Sequence, residues 1–393
     1  MRTGTRKMSK PLSPWARAAL AGCNWFVNSQ LIQKSPNWDA NHGRYPYNVH
    51  VPTQTRVLGL GWTQARAVMC LLAAYEHTHN EDYLDCARRG IDYARMLQNM
   101  DRRFPLTYGG LHEETPHSPF SYPRDAIEVA DAFLQWHRVT GDRDALYRAE
   151  LFFDWLRRNA LTSFPGFGFW VRGEVRFDNQ PLKDRFQRPI SCQMGCITIL
   201  THAYAATRKA VYKDWALKLA DSVLRNYSAP DQGPLRESAG QRLSHHTSTD
   251  GVIYNDDGGS VGLLNAYKLS RDRRYLDAAI RAAEFFRTLR QPIPIFSGTG
   301  SVANFLIEVD HLTKRSTYRP TAEKLARLLL KLQVRSGRPL VGGAFRGEDE
   351  GGKWYHKGAA NDDFVTTRVT AYSVMLLFKL DGAEWPRGYS THF

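Results

Sequence analysis

Three stretches decide the architecture: Thr78-His79-Asn80-Glu81-Asp82-Tyr83-Leu84, Thr140-Gly141-Asp142-Arg143-Asp144-Ala145-Leu146 and Ser270-Arg271-Asp272-Arg273-Arg274-Tyr275-Leu276. Each follows a small-residue-rich apolar helix pattern and precedes a more charged one. A hydroxyl residue closes the first helix, and an Asp or Asn two positions on is placed to cap the second. Degraded copies follow Thr207, with Tyr212 in the aromatic position, and Arg315, with Tyr318. A turn repeated in this way predicts stacked helical hairpins, none of which can bury its apolar face alone.

Working outward from the turns, helical periodicity predicts inner helices at about 62–77, 124–139, 191–206, 257–269, 299–313 and 363–379. Ala65, Val68, Met69, Leu72 and Ala73 show the recurring spacing. Partners follow five of them, at about 81–99, 143–160, 211–227, 273–290 and 319–334, and the sixth lacks one. Ser13-Pro14-Trp15-Ala16 reads as a Ser cap and first-turn Pro opening a helix to about Ser29. Packed beside the last inner helix, it completes the sixth pair. The expectation is one all-α domain over residues 1–393, an (α/α)6 toroid with its first helix paired to its last inner helix. A few short rim strands are expected near Gly168–Val175 and Gly342–Phe345. An open solenoid is the alternative, but the terminal helices are as apolar as the middle ones and not polar caps.

No apolar run approaches the roughly 18 residues of a membrane span, and the basic stretch Met1 to Lys10 has no apolar segment after it. With no signal peptide visible, a cytoplasmic location is expected. The five cysteines are odd in number and sit in apolar helical patterns, as buried free thiols do. Cys192 and Cys196 have helical spacing without a second ligand pair, so no metal is expected. The absence of a glycine-rich fingerprint between strand and helix argues against a cofactor. The net charge of +14 is spread over outer-helix segments such as Arg88-Arg89, Arg157-Arg158 and Arg273-Arg274. That dispersion speaks against nucleic acid and leaves an acidic sugar attractive, since guanidinium matches a carboxylate in a bidentate fork.

In a closed ring the site forms where inner-helix N-termini converge. Those starts read Trp62-Thr63-Gln64, Tyr122-Pro123-Arg124-Asp125, Asn255-Asp256-Asp257 and Asn361-Asp362-Asp363, among others. One Asp is what a cap needs; the two Asn-Asp-Asp triplets carry a carboxylate more. Carboxylates facing one another across a narrow ring divide into a protonated acid and an ionised base, the pairing that glycosidic cleavage uses. Aromatic and polar loops supply candidate sugar contacts in Asp39, His42, Arg44 and Tyr45, in Trp170 and Arg172, and in Trp354 and His356. Glu113 or Glu114 can reach the rim as a second carboxylate, and His245-His246 is a further polar cluster.

This layout resembles the six-hairpin glycosidases and lyases, a superfamily that includes the unsaturated glucuronyl hydrolases and related exo-acting β-glucuronidases. The resemblance covers Ser13 to Leu380 as architecture. It implies a uronate-containing sugar as substrate and an Asp at an inner-helix start as general acid and base, a position held here by Asp125, Asp257 and Asp363. The Arg residues at the rim, Arg44, Arg124, Arg172 and Arg188, agree with a carboxylate substrate.

The leading expectation is a glycoside hydrolase acting on an acidic oligosaccharide or polysaccharide. Asp125 or Asp257 protonates the glycosidic oxygen and Asp363 activates water. Arg124 and Arg172 hold a carboxylate, Trp62, Trp170 and Trp354 stack sugar rings, and Gln64, Asp256 and Asp362 line the site. A polysaccharide lyase or sugar epimerase is the alternative, abstracting the proton α to a uronate carboxyl through Tyr45, Tyr254, His42 or His356. A non-catalytic carbohydrate-binding toroid is the third reading, and the paired aspartates weigh against it.

Overall fold

The computed structural model describes residues 12–33, 41–164, 166, 168–178, 190–227, 261–288, 299–347 and 363–383. Helix α1 (Pro14–Ser29) is followed by alternating inner and outer helices. The inner set is α2 (Gly61–Thr78), α4 (Pro123–Thr140), α6 (Ile190–Thr207), α8 (Val261–Ser270), α10 (Thr299–Thr313) and α12 (Thr367–Leu380). The outer set is α3 (Glu81–Met96), α5 (Arg143–Asn159), α7 (Ala210–Tyr227), α9 (Arg273–Thr288) and α11 (Arg319–Leu332). Each inner helix packs on its outer partner, and neighbouring inner helices pack in sequence until α12 meets α2. Helix α1 lies along α12. The architecture is an (α/α)6 toroid.

The turns work as their sequence implies. Thr78, Thr140, Thr207 and Ser270 each donate a side-chain hydroxyl to the carbonyl four residues back, at 2.7–2.8 Å. The same oxygens then accept the N–H two residues on, at 3.1–3.3 Å. The residue between is left-handed in every turn: His79, Gly141, Arg208, Arg271 and Lys314, with φ of 55–77°. Asn80, Asp142 and Asp272 accept backbone N–H groups of the next helix. The α10–α11 turn lacks that Asp, and Asp310 replaces it from inside α10, accepting from Thr317, Tyr318 and Arg319 at 2.9, 2.8 and 2.6 Å. The aromatic position packs into the core in Tyr83, Tyr212, Tyr275 and Tyr318.

Short strands brace the inner-helix starts. β1 (Pro46–His50) pairs with β2 (Arg56–Leu58) and with β7 (Phe364–Thr366), while β3 (Phe120–Ser121) pairs with β6 (Val175–Arg176) and β4 (Leu161–Phe164) with β5 (Gly168–Val171). Two boundaries differ from the sequence expectation. The last inner helix starts at Thr367 and not near 363, because Phe364, Val365 and Thr366 pair with His50, Val49 and Asn48. Thr366 then caps the helix, accepting from Val369 N–H at 3.1 Å. The expected strand at Gly342–Phe345 is reduced to one bridge, Phe345 to Gln333. Gly343 explains this: it has φ of +90° and a Cβ there would lie 2.1 Å from the Ala21 carbonyl oxygen. Four cysteines, Cys23, Cys70, Cys86 and Cys196, are buried free thiols. No described helix is long and apolar enough to cross a membrane.

Candidate active site

The lumen of the ring is polar although its helices are apolar. On α4 the residues Arg124, Glu128, Asp131 and Gln135 fall on one stripe, all buried. Arg66 on α2 and Arg368 and Tyr372 on α12 face the same space from either side. Arg66 is 1% exposed and grips Glu128 with both arms of its guanidinium, Nε to Oε2 and Nη2 to Oε1, each at 2.8 Å. Arg124 donates to the same carboxylate, and Arg66 Nη1 donates to the Tyr372 hydroxyl. The Arg66 guanidinium also lies 4.7 Å from the Trp62 ring centre and 4.6 Å from that of Tyr372. Arg368 covers Trp62 at 5.3 Å. Burial alone would lower Arg66, but the Glu128 carboxylate outweighs it and holds the guanidinium charged.

Above this network sits a carboxyl pair. Asp125 occupies the third position of α4, its N–H bonded to the Tyr122 carbonyl at 2.9 Å, so the cap itself is Tyr122. Glu113 comes from the long loop before α4. Its carbonyl accepts from Gly61 N–H at 2.8 Å and its Oε2 from Tyr122 N–H at 3.1 Å, which ties the start of α2 to the start of α4. Burial raises Glu113 well above the usual carboxyl range, and the Asp125 carboxylate raises it further. Asp125 is raised too, first by burial, with Arg124 opposing. Two carboxyls in contact cannot both ionise, so the pair holds one proton across part of the ordinary pH range. Glu113 is 3% exposed while the Asp125 side chain is 25% exposed, so Asp125 is the more accessible member of the pair.

Arg66, Arg124 and Arg368 bring positive charge to the same part of the lumen as Glu128 and the carboxyl pair. Further down, His202 Nδ1 meets the Asp131 carboxylate at 3.0 Å. Near the far end, Lys268 and Lys379 converge on Glu308. Burial and the neighbouring Lys268 push Lys379 down to about 7, and burial brings Lys268 to about 8. Among the described residues no group of three or more His, Cys, Asp or Glu is arranged to hold a metal.

Other residues singled out in the sequence are placed elsewhere. Gln64 clamps Tyr45, accepting its N–H at 2.8 Å and donating to its carbonyl at 3.4 Å. Gln193 does the same for Val171, at 3.0 and 3.2 Å, so both glutamines pin rim backbone to an inner helix. Tyr45 is fully buried with its hydroxyl on the Cys86 carbonyl, and Arg44 is 3% exposed, bonded to Gly59, Asn41 and Glu114. These three serve the rim's structure and present no polar edge to the lumen. Trp170 is fully buried and Trp62, 6% exposed, has the guanidinium groups of Arg66 and Arg368 over its ring, so neither ring is exposed for stacking on a sugar. His42 is exposed and accepts from Gln33 N–H at 3.1 Å, and Arg172 is half-buried. Asp363 precedes β7, its carbonyl accepting from Val51 N–H at 2.7 Å. Asp39, Arg188, His245, His246, Tyr254, Asp256, Asp257, Trp354, His356 and Asp362 lie outside the described residues.

Comparison with known proteins agrees with this geometry. Solved structures superpose over nearly the whole chain. A sugar epimerase from a ruminal bacterium is 11% identical with a TM-score of 0.70, covering 94% of this chain and 97% of that one. The unsaturated glucuronyl hydrolase of Bacillus sp. GL1 is 17% identical at 0.68, covering 96% and 99%. A glycoside hydrolase family 76 mannosidase from Bacteroides thetaiotaomicron is 14% identical at 0.67, covering 94% and 98%. The fold is the (α/α)6 toroid that these structures share. Within this six-hairpin toroid, residues 39–104 match the sequence model of the D-glucuronyl C5-epimerase C-terminus. That segment carries β1, β2, the Trp62 and Arg66 face of α2, and α3. No curated protein matches the chain in sequence.

Proposed function

We propose that this protein acts on uronate-containing glycans and that its reaction is proton exchange at the carbon α to the carboxylate, inverting C5 of the uronate. The observation that carries the reading is the Glu113 and Asp125 pair, one proton between two carboxyls, set above the buried network of Arg66, Arg124 and Glu128. A uronate carboxylate entering the lumen meets those arginines. Loss of the C5 proton moves negative charge onto the carboxylate as an enediolate, which the arginines stabilise more than they stabilise the ground state. Asp125 is the reachable base, and Glu113 holds the adjacent proton that keeps the pair from accumulating two charges. A solvent water on the opposite face returns a proton to C5, giving the inverted centre, and the resulting hydroxide is neutralised by the proton that Asp125 took up. The C5-epimerase match over residues 39–104 supports this choice.

One observation favours a second reading. A carboxylic acid held above its usual range by burial is what protonation of a glycosidic oxygen requires, so hydrolysis of the same substrate class is the competing reaction. One experiment separates them. The protein is incubated in D2O with a glucuronate-containing oligosaccharide, and deuterium at C5, reducing ends and ultraviolet absorbance are followed together. Deuterium at C5 with the chain intact supports epimerisation. New reducing ends without deuterium move the assignment to hydrolysis, and rising absorbance moves it to β-elimination.

A further inference from the structure

Among the described residues, most of the exposed large apolar side chains fall on the loop after α3 and its surroundings. Eight large apolar side chains are exposed among the described residues, and five of them, Met96, Met100, Phe104, Leu106 and Tyr147, belong to the end of α3, the loop after it and the face of α5 on which that loop lies. The loop is a fixed platform. Asn99 N–H donates to the Gly110 carbonyl at 2.9 Å, and the Asn99 carbonyl accepts from Gly109 N–H at 2.8 Å. Trp155 Nε1 holds the Leu106 carbonyl at 3.0 Å, and Arg158 holds the carbonyls of Pro105 and Tyr108 at 2.9 and 3.0 Å. At the tip, five consecutive residues are exposed: Arg102-Arg103-Phe104-Pro105-Leu106. Phe104 is 57% exposed and Leu106 46%.

The charge around these side chains says what covers them. Arg102 and Arg103 flank Phe104, and Arg157 and Arg158 border the loop on α5. Asp101 pairs with Arg103 and Asp154 with the two α5 arginines, which leaves the patch positive by two. A second copy of the chain docked by a two-fold would set these arginines against themselves. A glycan would need polar groups among the apolar ones, yet the hydroxyls of Tyr108 and Tyr147 are bonded to each other at 3.1 Å, and methionine, leucine and phenylalanine offer none. An acyl layer beneath anionic headgroups needs no such groups. We propose that this loop is a membrane-docking element: Phe104 and Leu106 enter the interface of an anionic bilayer while Arg102, Arg103 and Arg157 pair with its headgroups. The attachment is peripheral and reversible, held by one loop.

The test is co-sedimentation of the full-length protein with vesicles of phosphatidylglycerol and phosphatidylcholine, against vesicles of phosphatidylcholine alone, at low and high salt. The expected result is binding to the anionic vesicles that weakens as salt rises. The double variants Phe104→Ser/Leu106→Ser and Arg102→Gln/Arg103→Gln are each expected to weaken it by about tenfold or more. Both alter exposed side chains only, so unchanged melting temperatures certify that they fold. Absence of binding to anionic vesicles by the parent protein overturns the proposal, as does equal binding by the folded variants. A concentration-dependent dimer that Phe104→Ser/Leu106→Ser dissolves, or retention on an anionic glycan matrix that the same variant loses, assigns the patch to another partner and overturns it as well.

Discussion

Replacing Glu128 by Gln tests the central network most directly. The change is nearly isosteric, removes the charge, keeps one oxygen as an acceptor and replaces the other by an NH2 donor that cannot accept from arginine. Arg66, 1% exposed, and Arg124, 7% exposed, are then left buried with their shared counter-charge gone. Removing one partner of a buried ion pair costs about 3–5 kcal/mol, because the remaining charge stays buried with less to offset its lost hydration. The unfolding entropy is roughly 0.8 kcal/mol per kelvin for a chain of 393 residues, taking about 2.1 cal/mol/K per residue. The expected fall in melting temperature is therefore about 4–6 °C, read by differential scanning calorimetry at pH 7. The companion Arg66→Met/Glu128→Leu removes both charges and is expected to fall by less than the sum of its single changes, since neither leaves the other stranded. If Glu128→Gln melts within about 1 °C of the parent, the lumen is wet enough to solvate two arginines, and the closed ionic floor described above is wrong.

The carboxyl pair gives a linked prediction with a defined sign. The folded state holds a proton that the unfolded chain releases above about pH 4, so stability falls as pH rises from there through the raised value of the pair. Glu113→Gln is expected to flatten that slope and raise the melting temperature at pH 7, while Asp125→Asn lowers turnover by about 10²–10⁴-fold in the isotope-exchange assay; a less stable Glu113→Gln speaks against the shared proton. At the far end, Lys379 is lowered to about 7, so its charging opposes folding below that value and stability grows between there and the ordinary lysine range near pH 10. Lys379→Met is expected to remove that rise, and titrating the melting temperature of both proteins from pH 6 to 10 checks it. Asp310→Ala leaves three backbone N–H groups without their acceptor and is expected to cost about 2–3 kcal/mol in urea unfolding; a change below about 0.5 kcal/mol sinks the cap assignment.

The hairpins were legible because their signals are local. Thr140, Gly141 and Asp142 lie within three residues, and each does at its own position what its chemistry suggests. Ring closure was legible by counting, since an unpaired last helix and an extra first one complete six pairs. The lumen was harder to see. Asp125 stood out at a helix start, and Glu113 was recognisable only as a carboxylate able to reach the rim. Arg66 and Glu128 hid inside Ala65-Arg66-Ala67-Val68 and Ile127-Glu128-Val129, where a charged residue breaks an apolar run. A helix buried on all sides has one face where a charge can live, the one lining the central space, so that interruption was the available signal. Gln64, Arg44 and Tyr45 show the converse difficulty. A polar residue that holds a backbone strand and one that holds a sugar are the same letters, and only the position of the strand separates them.

The seam between α1 and α12 bears on how the chain is made. Helix α1 meets its main partner only after more than three hundred residues have followed it, and the contact is tight: a Cβ on Gly22 would lie 2.5 Å from Val374 Cγ2. Trp25 Nε1 and the Ala18 carbonyl are bonded to Leu340 and Gln333, from the segment that connects α11 to α12. During synthesis every other hairpin can collapse on itself soon after it emerges, whereas α1 must keep Ala19, Cys23, Trp25 and Phe26 from the wrong neighbours until α12 has been made. The hairpin that closes the ring joins helices more than three hundred residues apart, which makes this seam the point at which a partly made chain most needs a holding chaperone.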